Sequence, residues 1–167
     1  MRNNKGITLI ALVVTIIVLL ILAGVAIAMI TGRNSILDRG QSTKAYNAIG
    51  AVKDEISLQY NSAYAEFMRQ KYDSGEATVK TTAQLFADGN GATLKAVTAL
   101  EKHGVDSITV YPDSVAADTA TVKVRIQMVI DGTYYYVDGT LANGNTTAAT
   151  FTWGSINEAA AAPDALS

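Results

Sequence analysis

A single imidazole, His103, and no thiol at all stand among the 167 residues, so most side-chain chemistry is closed to this chain from the start. Without cysteine there is no disulfide framework, no thiolate zinc site and no iron–sulfur cluster. One histidine leaves a His-based metal site or a Ser-His-Asp triad short of parts. Asp88-Gly89-Asn90-Gly91 and Asp138-Gly139 set carboxylates beside glycine, but neither spaces its oxygens as a calcium loop does, and both read as turns. No Walker-type phosphate loop is present. Asn145-Thr146-Thr147 fits the N-glycosylation acceptor pattern and fits equally the closing residues of a turn. The reading is non-enzymatic, with no catalytic residue, no cofactor and no metal expected. Residues 31–167 carry 11 Lys+Arg against 15 Asp+Glu, a net of −4. That balance argues against gripping nucleic acid along the length of the domain, and leaves open only a local cluster of Arg33, Arg39 and Lys44.

The informative feature is a segment with no chemistry in it. Residues 7–30 form 24 consecutive positions without a charge, in which only Thr8, Thr15 and Gly24 lie outside the hydrophobic set. As a helix they would span roughly 36 Å at ~1.5 Å per residue, enough to cross a hydrocarbon core of about 30 Å with some tilt. A secretory signal has a core of about 7–15 apolar residues before its cleavage site, so this run is too long for one. Ala26 and Ala28 imitate such a site, but Met29 and Ile30 follow with no polar break. No second run approaches membrane length, which excludes a polytopic transporter. Arg2 and Lys5 precede the run with no acid beside them, which favours a cytoplasmic N-terminus and an external residue 31–167 domain.

The borders of the run are specific. Met1-Arg2-Asn3-Asn4-Lys5-Gly6, followed by Ile7-Thr8-Leu9-Ile10-Ala11-Leu12-Val13-Val14, resembles the start of a type IV prepilin or pseudopilin, and in particular the clostridial-type Gly-Ile-Thr-Leu-Ile-Ala-Leu-Val proteins. The resemblance covers residues 1 to roughly 45. It implies removal of a leader, residues 1–6, by a membrane aspartyl prepilin peptidase that cuts between Gly6 and Ile7, then methylation of the Ile7 amine. It also implies an assembly platform protein and an ATPase as partners, membrane lipid around the helix before assembly, and other copies of the chain afterwards. Thr8, Leu9, Ile10, Ala11 and Leu12 would open the assembly helix. Ala11 departs from the family, where Glu is usual at the fifth mature position and is thought to pair with a neighbouring subunit's amine. That departure bears on how the Ile7 amine is satisfied and on whether the chain is a major or a tip-like subunit. Gly24 and Ala28 are spaced small-xxx-small, with Ala23 and Ala26 nearby, which lets helix backbones approach; small residues are also common in membrane helices generally.

These residues need elements to carry them. Thr31-Gly32-Arg33-Asn34 interrupts the helical pattern, and Ser35 reads as the N-cap of a restart with Asp38 in its first turn. Gly40 is a second weak point. Ala45, Ile49, Val52, Ile56, Tyr60, Ala63 and Phe67 then recur at steps of 3 and 4, a one-face stripe that needs a partner surface. Short helices are expected at 82–87 and around Leu94, Val97, Leu100 and Glu101, the latter ending at Gly104 with His103 in its last turn. Val122, Val124, Ile126, Met128 and Ile130 alternate with Lys123, Arg125 and Gln127 as a half-buried strand does. Asp131-Gly132 is a hairpin signal, 133–141 the return strand and 148–153 a third, with Ser107–Tyr111 as an edge.

The expected class is α+β, type IV pilin-like: a long N-terminal helix, transmembrane in its first half and amphipathic in its second, packed on a small antiparallel sheet. The divisions are leader 1–6, transmembrane or assembly helix 7–30, amphipathic continuation 31–72, head 73–157 and flexible tail 158–167. The expected function is a structural subunit of a pilus-like or type II secretion-like filament at the cell surface. Adhesion, motility, DNA uptake and protein secretion are not distinguished. The competing reading is a single-pass, signal-anchored binding module that never polymerises.

Overall fold

A computed structural model describes residues 5–31, 36–74, 80–86, 103–112, 115–146 and 149–167. Two helices lead: α1 at Lys5–Thr31 and α2 at Ile36–Ser74. A short α3 at Thr82–Phe86 follows, then strands β1 at Ser107–Tyr111, β2 at Thr121–Ile130, β3 at Thr133–Ala142, β4 at Thr150–Trp153 and β5 at Asn157–Ala159. The class is therefore α+β, a long apolar N-terminal helix followed by an antiparallel sheet. The chain divides into two compact units, Met1–Thr43 and Lys44–Ser167.

In the first unit, α1 contains many β-branched residues that are mediocre helix formers in water. A helix suits them because every main-chain polar group beyond the ends is satisfied within the segment, the condition an apolar solvent imposes. Thr15 obeys the same rule, its hydroxyl donating to the Leu12 carbonyl at 2.8 Å. Leu9–Met29 is long and apolar enough to cross a membrane. The expected N-cap Ser35 lies outside the described residues. From Ile36 onward, α2 carries Asp38 in its first turn and Lys71 in its last, the signs that suit the helix dipole. Gly40, expected as a weak point, does not interrupt it. The Ser42 and Thr43 hydroxyls both turn back to the Arg39 carbonyl, at 3.2 and 2.7 Å.

The second unit rests on the stripe. Ala45, Ile49, Val52, Ile56, Ala63 and Phe67 are all buried, at the positions the periodicity marks. Against them stand the inward residues of β2 (Val122, Val124, Ile126, Met128) and of β3 (Tyr135, Val137, Leu141). Each large aliphatic side chain buried this way contributes about 1.5–3 kcal/mol relative to exposure. Tyr60 sits at the edge of the stripe, half-buried, and its hydroxyl donates to the Ala149 carbonyl at 2.8 Å. Burial, with Tyr64 adding to it, pushes the Tyr60 phenol above its ordinary pKa.

The sheet is an antiparallel meander in the order β1-β2-β3-β4. Asp131 and Gly132 have φ of 48° and 81°, the double left-handed conformation of the tight hairpin turn that matches strand twist. Asp138-Gly139, read from sequence as a turn, lies instead inside β3 opposite Arg125 and Val124. The glycine is there for space: a Cβ at Gly139 would fall 2.6 Å from Trp153 Cζ3. With none, the indole crosses the β3 backbone and its Nε1–H donates to Ser57 Oγ on α2 at 3.0 Å.

At the start of the tail, β5 pairs with Tyr134–Tyr136 along the same edge of β3 that β4 occupies. From Trp153 opposite Gly139 to Asn157 opposite Tyr136, four steps on one strand face three on the other. The extra residue makes a bulge, and it turns Ile156 back toward the core, against which it packs. Beyond β5, Lys123 Nζ donates to the Ser167 carbonyl and an Arg125 guanidinium N–H to the Asp164 carbonyl. The tail thus lies over the outer face of the sheet, held by its main chain. Alanine-rich composition hid this, because such contacts require no particular side chain.

Gly139→Ala is expected to destabilise the head by about 1–3 kcal/mol through overpacking, measured by urea unfolding. Trp153→Leu in the same chain should relieve the clash and recover part of that loss.

Candidate functional site

The residues singled out from sequence lie on α1. Gly6 and Ile7, the expected cleavage pair, fall in its first turns, as does Thr8. Leu9, Ile10 and Leu12 are 64, 65 and 61% exposed, and Ala11, Gly24 and Ala28 are exposed as well. Nothing lies within 4 Å of where a Gly24 Cβ would be. At about 100° per residue, Ala11 and Thr15 share one flank, and Gly24 and Ala28 share another about 140° round the axis. The helix therefore has two low-profile flanks, one in each half. No residue from 9 to 29 is ionisable. Position 11, where the resemblance read from the sequence would lead one to expect an acid, is Ala11, and no carboxylate lies elsewhere in that stretch.

In the head, the groups with chemical potential are tied up structurally. His103 ends a helical turn at Gly104, whose φ is +72°, and its Nε2 lies 3.2 Å from Glu55 Oε2 on α2. The pair joins α2 to the start of β1. Arg125 meets the facing Asp138 through two bonds, Nε to Oδ1 at 2.6 Å and Nη2 to Oδ2 at 2.8 Å, with the Tyr136 ring 5.0 Å away. Hydrogen bonding to Asp138 holds the Arg125 pKa above its ordinary value. Near the end of α2, Arg69 bridges Glu66 at 2.7 Å and Asp73 at 3.0 Å, and Gln70 donates to Glu66. Those bonds, Arg69 first, depress the Glu66 carboxyl to about 2.

A groove of about 400 Å³ runs between α2 and α3, lined in part by Glu55, Glu66, Ser62 and Phe86. Its one hydroxyl, on Ser62, is committed to the Leu58 carbonyl at 3.1 Å. Among the described residues no group of three or more His, Cys, Asp or Glu could hold a metal ion. Asp88–Gly91 and the 94–101 helix lie outside the described residues, as does Arg33. Arg39 and Lys44 are exposed.

Sequence reasoning missed the Arg125–Asp138 clamp and the Trp153–Ser57 bond. The first had a signal, since opposite charges on facing strands pair once the Asp131-Gly132 turn fixes the register. The second had none, because α2 and β4 are 96 residues apart at this contact.

Comparison with known families, with curated proteins and with solved structures finds no match to this chain.

The Glu66 carboxyl should titrate near 2, against an ordinary 4.5, when followed by NMR. Its folded pKa is depressed, so its contribution to α2 is complete at neutral pH. That contribution is lost as the pH falls from the ordinary carboxyl range through the folded value. Arg69→Ala should return the midpoint toward the ordinary value.

Proposed function

We infer that this chain is a structural subunit of a type IV pilus-like or type II secretion-like filament, clipped after Gly6 and polymerised through the helix that begins at Ile7. The observation that carries the reading is the apolar, charge-free surface of α1 on every face, joined to a head whose own core is complete. Such a helix can lie in lipid and afterwards in a bundle of like helices, whereas the head needs neither. The leader Met1 to Gly6, with Thr8-Leu9-Ile10 after it, gives that surface its assignment.

The energetics fit a driven process. Residues 9–29 include 14 Leu, Ile and Val. At about 0.3–0.6 kcal/mol each, leaving the bilayer costs on the order of 5 kcal/mol. Lipid tails and helix neighbours are equally apolar, so packing alone must repay that in the filament. An assembly ATPase working through a platform protein supplies the extraction step. The N-terminus faces the cytoplasm before processing, and the head stands outside. Ala11 gives this subunit no internal partner for a neighbour's amine, which suits a filament held by packing rather than by a buried ion pair.

N-terminal sequencing of the mature protein from cells with an active prepilin peptidase should begin at Ile7, with or without a methyl group. An intact Met1, or a start near Ala28, would overturn this reading, the first of them in favour of the anchored, non-polymerising module. Gly6→Val should block processing and leave the precursor in the membrane. Normal filaments from that variant would refute the cleavage assignment.

A further inference from the structure

The tail does more than cover the sheet. Between it and the outer face lies a groove of about 410 Å³, within the roughly 300–1,000 Å³ of small-molecule clefts. The floor is Arg125 and Gln127 of β2, one wall is Thr109 and Tyr111 of β1, and Pro163 and Leu166 of the tail close the other side. The register explains this grouping: Thr109 faces Arg125, Tyr111 faces Lys123, and Ser107 faces Gln127, so all project to the side away from the core.

We propose that this groove binds a neutral saccharide. Charge sets the first limit. Arg125 spends its donors on both Asp138 oxygens and on the Asp164 carbonyl, and Lys123 donates to the Ser167 carbonyl. A guanidinium already paired with a carboxylate exerts little pull on an anion.

The uncommitted groups set the second limit. Among the described residues, no hydrogen bond engages the half-buried Gln127 amide or the Thr109 hydroxyl. Tyr111 is 44% exposed and stacks on no other ring. A primary amide offers two donors and an acceptor in one plane, and a hydroxyl offers both. That is a match for vicinal hydroxyls, which also donate and accept. The bare Tyr111 ring offers an apolar face to the C–H side of a pyranose. A single ring beside amide and hydroxyl groups suits a sugar better than a flat heterocycle, which would be clasped on two sides.

The tail closes the site through main-chain bonds to Lys123 and Arg125, with Pro163 and Leu166 half-buried beside it. The assignment is independent of polymerisation, so a failure here leaves the filament reading untouched.

The test uses the full chain in lipid nanodiscs, with saturation-transfer NMR against glucose, galactose and N-acetylglucosamine, and glucuronate as the charged control. At least one neutral sugar should bind and shift the amides of residues 109, 111 and 127. Tyr111→Ala should weaken binding about tenfold, in line with the loss of one aromatic contact. Gln127→Ala should weaken it comparably, and Tyr111→Phe should retain it. All three positions face outward, so the unfolding midpoint should hold and separate lost binding from lost fold. The proposal is overturned if no neutral sugar binds, if both alanine variants bind as the parent does, or if glucuronate binds more tightly than any neutral sugar.

Discussion

A helix with one apolar stripe has to be covered, and in this protein nearly everything from Lys44 onward follows from how that is done. Ile49, Val52 and Ile56 have no accessible surface, and neither do Val122, Val124, Ile126 and Val137 facing them. Because the side chains of a strand alternate, one register error would turn that whole inner set outward. The Asp131-Gly132 turn removes the ambiguity by fixing β3 against β2 at their shared end. Once β2 and β3 are set, Arg125 meets Asp138, and Gly139 opens the slot for Trp153. The bulge before Asn157 then returns Ile156 to the core. Each is a consequence of burying one face of α2.

The two helices solve different problems with similar residues. On α2 the apolar positions occupy one face, and Glu66, Arg69 and Asp73 keep the far side wet. On α1 there is no such division, and every large side chain from Leu9 to Met29 is exposed. A surface of that kind has no stable place in water, so its partners must come from outside the chain. The head is the reverse: its aromatic cluster of Tyr60, Phe86, Phe151 and Trp153, with ring centroids 5.0–6.2 Å apart, closes on itself. On the proposed reading, assembly is vested in the first unit, and the head, whose core is its own, takes no part in burying α1.

What could be read from the residues was what depends on period and local turn chemistry. The stripe from Ala45 to Phe67, the alternation from Val122 to Ile130 and the hairpin at Asp131-Gly132 all have local causes, and each is where the pattern placed it. The exceptions have distant causes. Asp138-Gly139 looks like a turn because aspartate and glycine are common in turns. Only Trp153, arriving from β4, makes a strand glycine necessary. The tail has no alternation and four consecutive alanines, 159–162, so nothing local announces β5. Its order comes from hydrogen bonds between its main chain and side chains on β2. The N-terminal residues differ again: the leader read from the sequence would be recognised by another protein, which the geometry of a single chain does not express.

If copies of this chain polymerise as proposed, the absence of charge in α1 places a demand on the head. Packing between apolar helices is nearly indifferent to a slide along the axis, because neighbouring arrangements of Leu, Ile and Val bury similar surface. A buried ion pair would select one arrangement, since a misplaced charge in hydrocarbon is costly. Ala11 forgoes that device. Register in a filament of such subunits must then come from the small flanks at Ala11–Thr15 and Gly24–Ala28, where close approach has a definite position, and from polar contacts between heads. In such a filament the helix would supply cohesion without direction, and the head direction at little cost in cohesion.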